Sequence, residues 1–434
     1  SQDTLQLVHS ARQLKILEHP GFKEASKRAK ASARRDKKVW LQRSLSSAAD
    51  IPSSAVWKTV SRLRRGFTHR RSRLVYKGVL IPFSQTHEAF ADHLSNTQWG
   101  PSEVHPDTLQ ELQESADIFP VDDSPPPKFS LHELTAVLTK LKTGRSPGLD
   151  GVRAELLLAL DFYGESWLLR LMNSCWESET TPKEWSEAYV VTIYKGKGDS
   201  SSPSSYRPIS LLNTLYKVYA SLLQQRLSKK YDDRLRDTQY GFRSNRGTDD
   251  PLFILRRAQD YSAKTGTPFH LLFLDWKQAF DSIDHSAMLT ALRRTGIHPK
   301  YLRIIQELYT EPRFCTKGHT GEEAWGSAHT GIRQGCPLSP YLFVIVLSVV
   351  FHDVDTRLRA FGVPSNTWSV GKPAYDLEYA DDTLLFALSQ KQLQEFLHYV
   401  QLEASMYGLE LNYDKTELLS HPTHPIDLCF TDTS

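Results

Sequence analysis

"DLEYADDTLLFA", residues 376–387, sets two adjacent carboxylates, Asp381 and Asp382, inside a run that otherwise reads as strand. Successive side chains on a straight strand point to opposite faces, so the two acids could not serve one site from its middle. A hairpin removes the conflict: "DLEYA" runs up, "TLLFAL" runs back, and the pair occupies a tight turn, where Asp is a favoured residue. Taken alone, the pair is most cheaply explained as turn chemistry. A third acid changes the reading, because Asp275 ends the apolar run "FHLLFLD" (269–275) at the tip of another expected strand. Three carboxylates at strand ends repel one another unless cations sit among them. Hard oxygen ligands of this kind suit Mg²⁺, with Mn²⁺ as the alternative, and two such ions can drive an in-line phosphoryl displacement.

Around this stretch the chain reads as a large folded protein. Its 434 residues exceed what one hydrophobic core usually holds, and its apolar and charged fractions, 40% and 24%, are ordinary for a globular chain. The longest apolar run, "YLFVIVLSVVF" (341–351), is too short to span a bilayer, so no membrane partner is expected. Cys175, Cys315, Cys336 and Cys429 show no metal or disulfide spacing, which suits a reducing compartment, and nothing resembles a secretory signal. The net charge of +3 is uneven: residues 1–80 carry 19 basic against 5 acidic residues, and the remainder 34 against 45. The basic excess, in "KEASKRAKASARRDKK" and "SRLRRGFTHRRSR", suits a polyanion, although a solvated helix face or a targeting signal would read the same way.

Residues 98–128 are rich in Pro, Ser and acids and read as a linker or irregular crossing. At "SLHE" a capping box, with Ser130 as N-cap and Glu133 reaching back, predicts a helix stopped by Gly144. Apolar periodicity predicts further helices over 212–227, 285–295, 300–309, 340–360 and 390–407. Strands are expected at 189–194, 269–275, in the opening stretch and at 416–420. The irregular interleaving favours an α+β class.

The motifs resemble those of reverse transcriptases. "FLDWKQAFDSIDH" (273–285), "GIRQGCPLSPYLF" (331–343), "YADD" (379–382) and "GLELNYDKTELL" (408–419) are similar to that family's successive palm motifs, in order. "GRSPGLDGVRAELL" (144–157), "YRPISLLNTLYKVYASLL" (206–223) and "QYGFRSNRGTDD" (239–250) resemble the fingers motifs of its non-LTR (LINE-type) retrotransposon branch. The resemblance spans roughly 130–420. It implies a right-hand polymerase fold, with an antiparallel palm sheet backed by helices (266–434), a largely helical fingers region (130–265), a basic and mainly helical arm (1–97) and a Pro/acidic linker (98–129). The chain stops 15 residues after Leu419, with "IDLCF" as one further candidate strand, so the thumb is expected to be absent.

By this resemblance Asp275 and Asp381 are the principal ligands of two Mg²⁺ ions, aided by the Trp276 carbonyl, with Asp382 completing the acidic cluster. Phe280 stands where the family places an aromatic under the incoming sugar. Gln334 and Gly335 match the segment against the nucleotide, with Tyr379 beside them, while Arg207 and Lys195, with Lys197 nearby, would hold the triphosphate. Lys415 aligns with a proton donor to pyrophosphate, and Arg243 and Arg246 are expected on the template backbone. Cys336 reads as packing. The implied partners are an RNA template, a DNA primer and dNTP, the implied reaction is RNA-directed DNA polymerisation, and the implied compartment is the nucleus, with the cytoplasm as a second. A catalytically inactive nucleic-acid-binding remnant of such an element is the competing reading.

Overall fold

The computed structural model describes residues 2–16, 20–46, 73–360, 376–421 and 428–430. The chain divides into two units, Ser1–Ser72 and Arg73–Ser434. In the first, helices Gln2–Ile16 and Phe22–Ser46 pack on each other, joined by a hydrogen bond between the Thr4 and Ser32 hydroxyls at 2.7 Å. The basic run after residue 46, up to residue 72, lies outside the described residues.

The sequence places the end of the arm at 97, but the second unit begins at Arg73. Its first strands, β1 (Val75–Tyr76) and β2 (Val79–Leu80), form a hairpin around Lys77 and Gly78, both at positive φ (49° and 75°). That geometry matches the right-handed twist of the strands it joins. The expected linker is likewise packed structure. Residues Pro106–Glu114 form a helix with Leu112 buried, the Ile118 N–H donates to the Arg294 carbonyl, and Asp122 accepts from the Tyr231 hydroxyl. Buried apolar residues and satisfied backbone groups here outweigh the loop-like composition.

Two four-stranded sheets follow. The strands β3 (Glu187–Tyr194), β4 (Tyr206–Leu211), β5 (Phe269–Leu274), β6 (Arg313–Lys317), β7 (Glu323–Ser327), β8 (Asp376–Tyr379), β9 (Asp382–Ala387) and β10 (Glu417–His421) assemble as β4-β3-β6-β7 and β10-β5-β9-β8. The second sheet is antiparallel throughout, whereas in the first β3 pairs parallel with β6. Because β6 and β7 lie beyond residue 265 yet join β3 and β4, the first sheet crosses the expected boundary at 265/266. The α+β expectation holds, and all four expected strand regions form.

Besides β1 and β2, three strands of these two sheets escape the sequence reading for local reasons. β4 contains Pro208, which lacks an N–H and is tolerated because β4 is an edge strand. β6 and β7 are five residues each and carry polar or small residues at alternate positions. The capping box at Ser130 and Glu133 forms, but its helix ends at Leu138 rather than reaching Gly144. "IDLCF" gives no strand over its described residues 428–430, where Cys429 instead bonds the Gln394 amide. The helix Ser339–Ala360 is buried over most of its surface, with residues 341–351 all buried or nearly so. A helix apolar on all sides belongs in the core of a large protein, and here it packs against the helices His285–Arg294 and Gln390–Ser405. No helix among the described residues is long and apolar enough to cross a membrane.

Candidate active site

The hairpin of the opening stretch closes as Tyr379 pairs with Asp382, leaving Ala380 and Asp381 as a two-residue loop with Ala380 at φ 60°. Register then gathers the acids. Leu274 of β5 faces Thr383 of β9, so Asp275 and Asp382, one step further along each strand, emerge at the same end of the sheet as Asp381. The Asp381 side chain is open to the cleft, yet partial burial, and then the charges of Asp382 and Asp275, push its carboxyl up. Asp275 is turned onto Lys415, whose Nζ lies 2.5 Å from Oδ2. The Trp276 indole N–H donates to the Thr383 hydroxyl at 3.2 Å, and the Asn412 N–H to the Asp275 carbonyl at 2.7 Å, which ties the strand tip to the segment carrying Lys415.

The donor set fits Mg²⁺ of the substrate-completed kind. Among the described residues no three carboxylate, His or Cys groups close into a cage. Mg²⁺ commonly takes one or two carboxylates and completes its shell with waters and substrate phosphates. Mutual repulsion at Asp381, and an ammonium pairing Asp275, mark a cluster that calls for positive charge.

A cavity of about 1210 Å³ opens beside these acids. It brings together Asp381, Trp276, Phe280, Gln334, Gly335, Arg207, Lys195 and Lys415. Phe280 is stacked on the buried Phe343 at 4.6 Å and 16°, with Phe242 edge-on at 6.5 Å, so its ring plane is fixed. Gly335, at φ 125°, passes so close to β4 that a Cβ would lie 2.5 Å from the Ser210 carbonyl oxygen. Burial lowers the Lys195 ammonium; Asp281 counteracts this, and Arg207, Lys415 and Lys197 reinforce it. These cations therefore repel one another, and polyanion binding would relieve them. Lys195 also donates to the Ser204 carbonyl at 2.7 Å, which anchors its tip. Tyr379 is partly exposed at the hairpin end, and Asp275 and Asp382 flank the cavity without lining it.

Two expected template contacts sit elsewhere. The Arg243 side chain is 2% exposed, and its guanidinium donates to Asp232 and to the carbonyls of Arg236, Gln239 and Asp232. All five donors are consumed within the fold, which leaves none for a template phosphate in this arrangement. Arg246 is partly buried, donating to the Asp237 carbonyl at 2.6 Å with its guanidinium over the Tyr240 ring. Cys336 is buried against the Tyr216 hydroxyl, in keeping with a packing role.

The structure adds residues that sequence reasoning passed over. Gln239, fully buried, accepts from the N–H groups of Gly241 and Ala380 through Oε1 and donates to Glu378 through Nε2. Behind it Arg236 bonds Asp355 and Asp376, so the strand leading to the acidic turn rests on a buried ionic network. Gln98 and Trp99 both donate to the buried Asp281, the residue after Phe280. Gln239 and Asp281 stand inside quoted motifs, whereas Gln98 and Trp99 lie in a stretch whose composition suggested arm and linker.

Residues 194–427 match the reverse transcriptase (RNA-dependent DNA polymerase) family. The chain is 26% identical over 86% of its length to the "Probable RNA-directed DNA polymerase from transposon BS" of Drosophila melanogaster, covering 42% of that protein. It is also 24% identical over 76% of its length to the "Transposon TX1 uncharacterized 149 kDa protein" of Xenopus laevis, covering 25%, and 26% identical over 76% to the "RNA-directed DNA polymerase from mobile element jockey" of Drosophila melanogaster, covering 36%. The chain thus spans less than half the length of these relatives. Among solved structures it is similar to apo telomerase from Candida tropicalis, with a TM-score of 0.42 and 14% identity, over 60% of this chain and 56% of that one. With the ordered motifs gathered at one end of an antiparallel sheet, the family match makes the chain a member of the reverse transcriptase family, on its non-LTR retrotransposon branch.

Proposed function

We propose that this chain is the catalytic part of an RNA-directed DNA polymerase: a primer 3′-hydroxyl attacks the α-phosphate of a dNTP opposite an RNA template, and pyrophosphate leaves. The observation that carries the reading is the strand register that sets Asp275, Asp381 and Asp382 at one sheet end beside a cavity walled by Phe280, Gln334 and three cations. In this reading the antiparallel sheet is the palm, and the region with β3 and β4 is the fingers.

Asp275 and Asp381, with the Trp276 carbonyl and support from Asp382, would hold two Mg²⁺ ions, whose chemistry when bound is to activate the primer hydroxyl and offset charge on the leaving oxygen. The chain's own contribution is positioning and charge. Arg207 offers a planar fork to the triphosphate, and Lys195 a point charge beside it. The Phe280 ring, held by Phe343, stands where a 2′-hydroxyl would collide. Lys415 Nζ is placed to give a proton to pyrophosphate once substrate charge competes for it. The first, basic unit suits nucleic acid by counterion release, and the chromosomal setting of such elements makes the nucleus the proposed compartment.

Primer extension on poly(rA) with Mg²⁺ tests the reading. Incorporation by the chain, lost in Asp381→Asn, supports it; no incorporation above the variant leaves the inactive nucleic-acid-binding remnant in its place.

A further inference from the structure

The helix Thr86–His93 ends in a π-turn over Leu94–Gln98, closed by the Trp99 N–H on the Leu94 carbonyl at 2.7 Å. Such turns interrupt a helix at a cost and concentrate at functional sites. Here the turn delivers two side chains to one buried carboxylate. Asp281 Oδ1 accepts the Trp99 indole N–H at 2.9 Å. Oδ2 accepts Gln98 Nε2 at 2.9 Å and Gln334 Nε2 at 2.8 Å. Asp281 is 3% exposed, and its backbone is braced as well: the Thr330 hydroxyl donates to its carbonyl, and Gly331 passes so close that a Cβ would lie 2.6 Å from that oxygen.

The donor pattern leaves no freedom. An indole nitrogen only donates and an ionised carboxylate only accepts, so both glutamine amides turn their NH₂ groups towards Asp281. The Gln334 amide oxygen is thereby left for the cavity. Burial pushes the Asp281 carboxyl up to about 6 against the pull of Trp99, Gln98 and Gln334, so at pH 8 it is ionised and acceptor-only.

We propose that Asp281, held by Gln98 and Trp99, is a positioning residue for nucleotide selection: it fixes the Gln334 amide so that an acceptor faces the incoming deoxynucleotide. The inference rests on the polymerase reading for the identity of the ligand. It also makes the segment 94–99, which lines the cavity through Asn96, Thr97 and Gln98, part of the nucleotide site.

Asp281→Asn is the discriminating change. Its amide NH₂ cannot face the indole N–H, which has no alternative orientation, so it must take the Oδ2 position. There it meets two further NH₂ groups, and Gln334 has to turn over, presenting a donor where an acceptor stood. Trp99→Phe keeps a ring against Phe314 and removes the indole N–H, so in that background the asparagine can turn instead and Gln334 can stay.

At pH 8, KM for dNTP in primer extension and Kd for dNTP by equilibrium dialysis are measured for the wild type, both single variants and the double variant. Asp281→Asn is expected to raise KM and Kd at least about tenfold while kcat changes less than about threefold. In the Trp99→Phe background the same substitution should raise them by less than about threefold. Unchanged affinity in Asp281→Asn overturns the proposal, as does an equal loss in both backgrounds. The double variant serves where the single one folds poorly, since a rescue of folding without recovery of dNTP affinity also overturns it. A wild type that binds dNTP but extends no primer sinks the polymerase reading instead, and the dialysis arm still decides the role of Asp281.

Discussion

Gln239 Oε1 accepts the backbone N–H of Ala380 at 3.0 Å, so the residue beside Asp381 is held by a side chain 141 positions away. The same oxygen accepts the Gly241 N–H at 2.7 Å, and a Cβ on Gly241 would lie 2.1 Å from the Ala380 nitrogen. The acidic turn is thus clamped by one side chain and fitted against a residue that must be glycine.

Replacing Gln239 by Leu strands the two N–H groups and the Glu378 carboxyl in the core. A loss of roughly 1–3 kcal/mol per stranded group is expected, read as a fall in the urea midpoint, together with a higher Mg²⁺ requirement for extension. Normal Mg²⁺ dependence in a folded Gln239→Leu chain would show that the turn does not need its clamp.

Phe280 has one face on Phe343 and an edge in the cavity. Phe280→Val should therefore raise incorporation of ribonucleotides relative to deoxynucleotides by at least about tenfold in competition assays. Sugar selectivity equal to that of the wild type would remove Phe280 from the sugar pocket.

Arg243 and Arg207, two of the three arginines that the motif pattern assigns to polyanion contact, separate cleanly. Arg243→Ala breaks a largely buried ion pair and should cost about 3 kcal/mol of stability. Arg207, which makes no ion pair among the described residues, should on replacement by Ala leave stability within about 0.5 kcal/mol and raise KM for dNTP. Calorimetry beside steady-state kinetics would distinguish the two, and equal melting temperatures would contradict the split.

Burial alone raises the Glu133 carboxyl, but the Arg226 guanidinium, at 2.6 Å, and the Ser130 N–H and hydroxyl together outweigh it and hold it at about 2. Because the folded value lies below the unfolded one of 4.5, this contribution is complete above about pH 4.5 and fades as pH falls towards 2. After allowance for solvent screening it is about 1–2 kcal/mol. Urea midpoints between pH 5 and pH 3 should fall more steeply for the wild type than for Glu133→Gln, and parallel slopes would exclude the linkage.

The acidic hairpin and its partner strand were legible because they combine two independent local signals, an alternating or apolar run and acids at its end. Register then follows from packing: a one-residue slip of β9 on β5 would move Leu384 and Phe386 out of their cluster with Phe269 and Leu271 and onto the face now filled by Leu385 and Ala387. The Ser130 capping box was legible for the same reason, since it is a four-residue signal. Other features depend on partners far away in sequence. Nothing local marks Arg243 as buried, because its burial is set by Asp232 and by carbonyls of the 236–239 turn. Gln98 and Trp99 were hidden by their Pro-rich neighbours, and only the π-turn shows that they face inward. β6 was invisible because its parallel pairing with β3 supplies a stability that its own five residues lack.

Asp275 and Lys415, joined at 2.5 Å, stand 140 positions apart in the chain. A ribosome adding about 5–20 residues per second needs on the order of ten seconds to supply the second after the first. Through most of that interval β5 has emerged, with Phe269, Leu271, Leu272 and Leu274 destined for burial, while its neighbours are still to come: β9 begins only at residue 382 and β10 at residue 417. The strand that carries Asp275 therefore waits for its sheet partners with four apolar side chains uncovered during synthesis. The site itself is assembled last, when the chain has reached β10.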